Sequence, residues 1–200
     1  MQFENKVCFF RIPKNASTSI YEHLGDKNII RDENLKKLFK KNRFHNIFAP
    51  SHCKVSEAIE CLGQEILLLP CFAVCRNPFD RMVSQYFFCQ QNDFINKTFT
   101  SFNNFVDFCL KEKSIASMSQ SEYLDIPSKV SILKFENLQE DFKNFLFNYN
   151  VIDIPVNLPQ KNKSSHNKYQ NYYTKETEKK VLDLWHEDFQ RFNYSTNVQG

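Results

Sequence analysis

Short runs of consecutive apolar residues alternate along this chain with longer stretches in which apolar positions recur every three or four residues. The first pattern predicts strands buried on both faces, the second amphipathic helices. Val7 to Ile12 is the first run and ends at Pro13; Ser17 or Thr18 then stands where a cap belongs, ahead of a helix through Ile20, Tyr21 and Leu24 that stops at Gly25. Arg31 to Arg43 reads as a charged surface helix, and Phe44 to Phe48 as a second strand that delivers Pro50, Ser51 and His52 to its end. Ser56 to Leu62 predicts a short helix, and Ile66 to Cys75 contains the next strand. Asn77 followed by Pro78 is a strong helix start, and Phe79, Met82, Val83, Tyr86 and Phe87 keep helical spacing through about Gln90. Phe102, Phe105, Val106, Cys109 and Leu110 mark another helix. Lys129 to Phe135 is a late strand, with a helix around Leu138, Phe142, Phe145 and Leu146 after it. Ile154 to Tyr169 lacks periodicity and predicts a long loop of the kind that serves as a lid or binding segment. Val181, Leu182, Trp185, Phe189 and Phe192 stripe one final helix.

Strands alternating with helices imply an α/β fold with a mostly parallel central sheet and helices on both faces. Two hundred residues suit a single domain, 1–200. Ligands of such sheets gather at the carboxyl ends of the strands.

Composition narrows the classes. Lys and Arg total 26 against 23 Asp and Glu, too mild an excess for a nucleic-acid protein. Seven cysteines, an odd number in mostly apolar surroundings, predict reduced core thiols in a cytoplasmic protein, with no structural metal. No apolar run approaches a membrane span, and Gln2, Glu4, Asn5 and Lys6 open the chain in place of a signal peptide.

Two segments carry candidate chemistry, each placed after a predicted strand. In Pro13-Lys14-Asn15-Ala16-Ser17-Thr18-Ser19 the turn into a helix aims backbone N–H groups at its contents, and Lys14 with three hydroxyls completes a cradle for a phosphate or sulfate. It is not a Walker A loop, because G-x-x-x-x-G-K-[ST] is missing. An ordinary capped helix with a surface lysine accounts for the same letters. In the second segment Arg76 ends a strand, where a guanidinium can grip a phosphate with two hydrogen bonds, and Ser84 follows about two turns up the helix. A salt-bridge partner and a solvent-facing serine are the plainer alternatives.

As a pair these segments resemble the sulfotransferases. Pro13 to Ser19 is similar to their 5′-phosphosulfate loop, and Arg76 with Ser84 matches their 3′-phosphate motif at its spacing. The likeness is closest to the Golgi-type carbohydrate sulfotransferases, including the 2-O type, and Leu133 to Leu138 and Asp188 to Tyr194 resemble later segments of that family. The resemblance implies a P-loop-like three-layer fold. It also implies that 3′-phosphoadenosine-5′-phosphosulfate is the co-substrate, that no metal is needed, and that the acceptor is a carbohydrate or small molecule. Lys14 would stabilise the leaving group, Asn15, Ala16, Ser17, Thr18 and Ser19 would hold the 5′ end, and Arg76 and Ser84 the 3′-phosphate. Ser51-His52-Cys53-Lys54-Val55 resembles the segment bearing the catalytic histidine of the 2-O enzymes, which makes His52 the first candidate base and Glu136 the second. Lys163 and Ser164 fall where family members close a loop over the nucleotide. The rival readings are a nucleotide or small-molecule kinase of P-loop-like fold and a module that binds adenosine bisphosphate without turnover. Oligomeric state leaves no sign in the sequence.

Overall fold

A computed structural model describes residues 2–3, 7–24, 52–91, 99–112, 116–126, 129–151, 154, 157–158 and 167–199. The fold is α/β and P-loop-like, with three parallel strands flanked by helices. Its strands are β1 (Gln2–Phe3), β2 (Val7–Phe10), β3 (Cys71–Cys75) and β4 (Val130–Lys134). Its helices are α1 (Ser17–Leu24), α2 (Val55–Leu62), α3 (Pro78–Gln91), α4 (Phe102–Lys111), α5 (Gln120–Tyr123), α6 (Leu138–Asn148), α7 (Lys175–Leu184) and α8 (His186–Arg191). Two compact units are distinguished, Met1–Cys75 with Glu122–Asn162, and Arg76–Ser121 with Lys163–Gly200.

The first unit holds the sheet, in the order β1-β2-β3-β4, with β1 antiparallel to β2 and the other pairs parallel. Parallel pairing aligns the carboxyl ends of β2, β3 and β4 along one edge. All five residues of β3 are buried, which is why it reads as an unbroken apolar run. Val7, Phe9, Phe72, Val74 and Leu133 turn toward Ile20 of α1 and Phe142, Phe145 and Leu146 of α6. Phe72 centres this cluster, stacked on Phe9 at 4.7 Å and tilted against Phe145 at 4.8 Å. Such ring pairs add about 0.5–1.5 kcal/mol each beyond area burial. The opposite face carries Cys8, Phe10, Cys71, Ala73 and Cys75, also buried.

The second unit is helical. Phe79, Met82 and Val83 of α3, Phe102, Phe105 and Val106 of α4, and Val181, Trp185 and Phe189 near the C-terminus form its core. Asn77 caps α3 as the sequence predicts, its Oδ1 accepting from the N–H of Phe79 at 2.9 Å. The predicted final helix is instead two, α7 and α8, because Trp185 leaves helical geometry at φ −121°, ψ 30°. Its indole N–H reaches the Ser117 carbonyl at 2.7 Å, and the break lets Asp188 face Gln120 and Ser121.

Other expectations are adjusted in detail. Ser17 is the first residue of α1 and not its cap, since its hydroxyl turns back to donate to the Ile12 carbonyl at 2.8 Å. The run before β3 begins as a 3-10 turn, Gln64–Leu68, after Gly63 at φ 87° reverses the chain. The predicted helix at Arg31 to Arg43, the strand at Phe44 to Phe48 and most of the loop from Ile154 lie outside the described residues.

Cys8, Cys71, Cys75, Cys89 and Cys109 are buried, whereas Cys53 is partly exposed. A hydrogen bond from Cys71 holds the Cys8 thiol below its usual range, and burial pushes the Cys109 thiol up. Access dominates, so among these six an alkylating reagent modifies Cys53 first and the others only on unfolding. Mass spectrometry of alkylated peptides checks this, and labelling of Cys8 at the rate of Cys53 would contradict it.

Candidate functional site

Between β2 and α1 the backbone bends twice into the left-handed region, at Lys14 (φ 68°) and Ala16 (φ 57°). Neither is glycine, and each costs about 1–2 kcal/mol in that conformation. Strain of this kind persists only where the surroundings over-determine it, and it clusters at functional turns. Two side chains supply that constraint. The buried Asn15 carboxamide donates to the Val74 carbonyl of β3 at 2.6 Å, tying the loop to the centre of the sheet. Ser17 ties it from the other side through Ile12. Asn15 and Ser17 are therefore loop supports through their side chains, and the Asn15 N–H adds a further tie by donating to the Ile12 carbonyl at 3.4 Å. The residue before α1 is Ala16, which has no side-chain acceptor to cap the first turn, whereas Asn77 occupies the first turn of α3. An anion at α1 meets backbone N–H groups; one beside α3 must be gripped by side chains.

His52 joins the loop from a distant part of the sequence. Its Nδ1 lies 3.0 Å from the Arg11 carbonyl, two residues before Pro13. A carbonyl oxygen only accepts, so Nδ1 carries a proton, and in the neutral ring the lone pair sits on Nε2, the tautomer a general base needs. The segment behind it is secured: Glu57 accepts from the Lys54 N–H at 2.7 Å, and Asp125 accepts from both the N–H and the hydroxyl of Ser56. Glu136 lies exposed in the 3-10 turn Phe135–Asn137 that follows β4.

In the second unit Arg76 is 8% exposed, and its Nε donates to Asp80 Oδ2 at 2.8 Å. The ion pair holds the guanidinium along α3. Ser84, expected on a solvent face under the plainer alternative, is buried at 5% exposure, a poor place for a hydroxyl with no task. Lys163 and Ser164 lie outside the described residues, but the chain just beyond them is fastened to α3. The Tyr173 hydroxyl donates to the Phe79 carbonyl at 2.8 Å, and Asn77 Nδ2 reaches the Tyr169 hydroxyl at 3.5 Å.

Sequence reasoning missed three residues. Lys134 ends β4 in register with Cys75, which puts a second lysine at the carboxyl edge of the sheet, and partial burial lowers its ammonium pKa. The rule that ligands gather at strand ends could have found it. Gln120 gave no local signal, and Asp188 stood only in the segment Asp188 to Tyr194 with no role attached; both are fully buried, Gln120 binding the backbone of Arg76 and Asp188 that of Gln120. Burial raises the Asp188 carboxyl, against the nearby Arg81 guanidinium and two backbone N–H groups that lower it.

Among the described residues no three or more His, Cys, Asp or Glu side chains group as metal ligands, and no helix is long and apolar enough to cross a membrane. No curated protein and no solved structure matches the chain significantly. One family model, that of the sulfotransferase family, matches residues 1–195. That span takes in the strained turn after β2, the arginine after β3 and the paired helices at the C-terminus, and on it the chain belongs to the sulfotransferase family.

Proposed function

We propose that the protein transfers the sulfuryl group of 3′-phosphoadenosine-5′-phosphosulfate to a carbohydrate hydroxyl, with His52 as base. The observation that carries this reading is the turn at Lys14 and Ala16, where two non-glycine residues are held in the left-handed region at the N-terminus of α1. In the proposed reaction the acceptor oxygen attacks sulfur as the bond from sulfur to the 5′-phosphate oxygen breaks. The acceptor proton passes to His52 Nε2. The electron pair of the broken bond stays on the leaving phosphate, where the Lys14 ammonium and the α1 N–H groups stabilise it. Adenosine 3′,5′-bisphosphate departs. Arg76 and Ser84 bind the 3′-phosphate and so select this donor over other adenylates. The likeness of Ser51 to Val55 to the 2-O carbohydrate enzymes supports a sugar hydroxyl as acceptor.

Calorimetry with adenosine 3′,5′-bisphosphate, adenosine 5′-phosphate and ATP with Mg²⁺ tests the donor. The bisphosphate binds without metal, and Arg76→Ala weakens it about 10- to 100-fold while barely changing adenosine 5′-phosphate, as loss of a charge-assisted hydrogen bond implies. A preference for ATP with Mg²⁺ would instead favour a phosphotransferase.

A further inference from the structure

We infer that Gln120 is a positioning residue that sets selectivity for the 3′-phosphate by fixing the backbone of Arg76. The inference rests on the donor reading above. The Gln120 carboxamide makes two hydrogen bonds to one residue: its Oε1 accepts from the Arg76 N–H at 2.9 Å, and its Nε2 donates to the Arg76 carbonyl at 2.9 Å. This is the pairing a neighbouring strand would make, supplied instead by a side chain just past the end of β3. Gln120 is itself immobilised. Its backbone N–H donates to Asp188 Oδ2 at 2.8 Å, and that of Ser121 to Asp188 Oδ1 at 2.7 Å, all within the buried interior.

Arg76 is therefore held at both ends, by Gln120 at its backbone and by Asp80 at its guanidinium. A long, flexible side chain loses much of its affinity to the cost of ordering it, and fixing both ends removes most of that cost before the phosphate arrives. A glutamine is suited to this because it offers one donor and one acceptor on a planar group; glutamate offers only acceptors, leucine neither. The effect should fall on the 3′-phosphate, the group that the donor reading assigns to Arg76.

The test compares affinities for adenosine 3′,5′-bisphosphate and adenosine 5′-phosphate in the wild type, Gln120→Leu and Gln120→Glu, with melting temperature recorded for each. Gln120→Leu lowers the ratio of the two affinities at least about tenfold, the scale of losing two neutral hydrogen bonds that fix the Arg76 backbone, with adenosine 5′-phosphate bound as before. Gln120→Glu keeps the acceptor toward the Arg76 N–H and falls between. If Gln120→Leu does not fold, Gln120→Glu alone decides. A folded variant with an unchanged ratio, or one that weakens both ligands equally, overturns the positioning role and leaves the donor reading intact. A wild type without preference for the bisphosphate overturns both.

Discussion

His52→Ala lowers kcat by about 10²- to 10⁴-fold, the usual contribution of a positioned general base, and leaves affinity for adenosine 3′,5′-bisphosphate within about twofold. The separation follows from geometry. The imidazole meets the strand end before the turn through Nδ1 and the Arg11 carbonyl, while Asn15 and Ser17 hold the turn through Val74 and Ile12. Removing the ring should therefore take the proton acceptor and spare the anion cradle. His52→Asn sharpens the test: its carboxamide can donate to the Arg11 carbonyl, yet it has no basic nitrogen, so it should lose as much rate as alanine does. Transfer of labelled sulfate to a glycosaminoglycan gives the rate, and calorimetry gives the binding. If His52→Asn kept near wild-type turnover, proton removal would move to Glu136, the other carboxyl-edge candidate.

The elements legible in the sequence are those whose cause is local. The strands β2 and β3 show as apolar runs because burial on both faces removes alternation, whereas β4 buries only Leu133, and α3 announces itself through Asn77 and Pro78. The turn at Lys14 could be read as a candidate anion cradle, but its strain could not, because the lock on it comes from Val74, 59 residues from Asn15. The same holds for Arg76. Its position at a strand end could be read, whereas Gln120 lies 44 residues on and Asp188 a further 68, in segments with no periodic link to it. The break at Trp185 was hidden for the opposite reason: Val181, Trp185 and Phe189 keep helical spacing, and only the bonds of Trp185 to Ser117 and of Asp188 to Gln120 show why the helix stops. Periodicity reports which face is buried, not whether a tertiary hydrogen bond has claimed the backbone between.

Arg81→Met destabilises the protein by about 3–5 kcal/mol, because it strands the Asp188 carboxylate in the interior. Arg81 has no exposed surface; it lies over the Trp185 ring at 4.5 Å and donates to the Met118 carbonyl at 3.0 Å. Methionine replaces the aliphatic stem but not the charge that opposes the burial of Asp188. Burial already raises the Asp188 carboxyl above its ordinary value of 3.8, and Arg81 is the largest influence pulling it back. Without the guanidinium the folded-state pKa climbs further. A carboxyl raised on folding favours the fold when protonated and works against it when ionised. The deficit of Arg81→Met is therefore largest at neutral pH and shrinks as pH falls toward the ordinary carboxylate range, where the folded state takes up the proton first. Asp188→Asn placed on top of Arg81→Met removes the stranded charge and recovers part of the loss, less the misfit of one amide N–H₂ facing the N–H groups of Gln120 and Ser121. Urea unfolding of the three proteins at neutral and mildly acidic pH measures each step. A deficit under about 1 kcal/mol, the scale of a surface pair, would mean that water and backbone N–H groups already compensate Asp188.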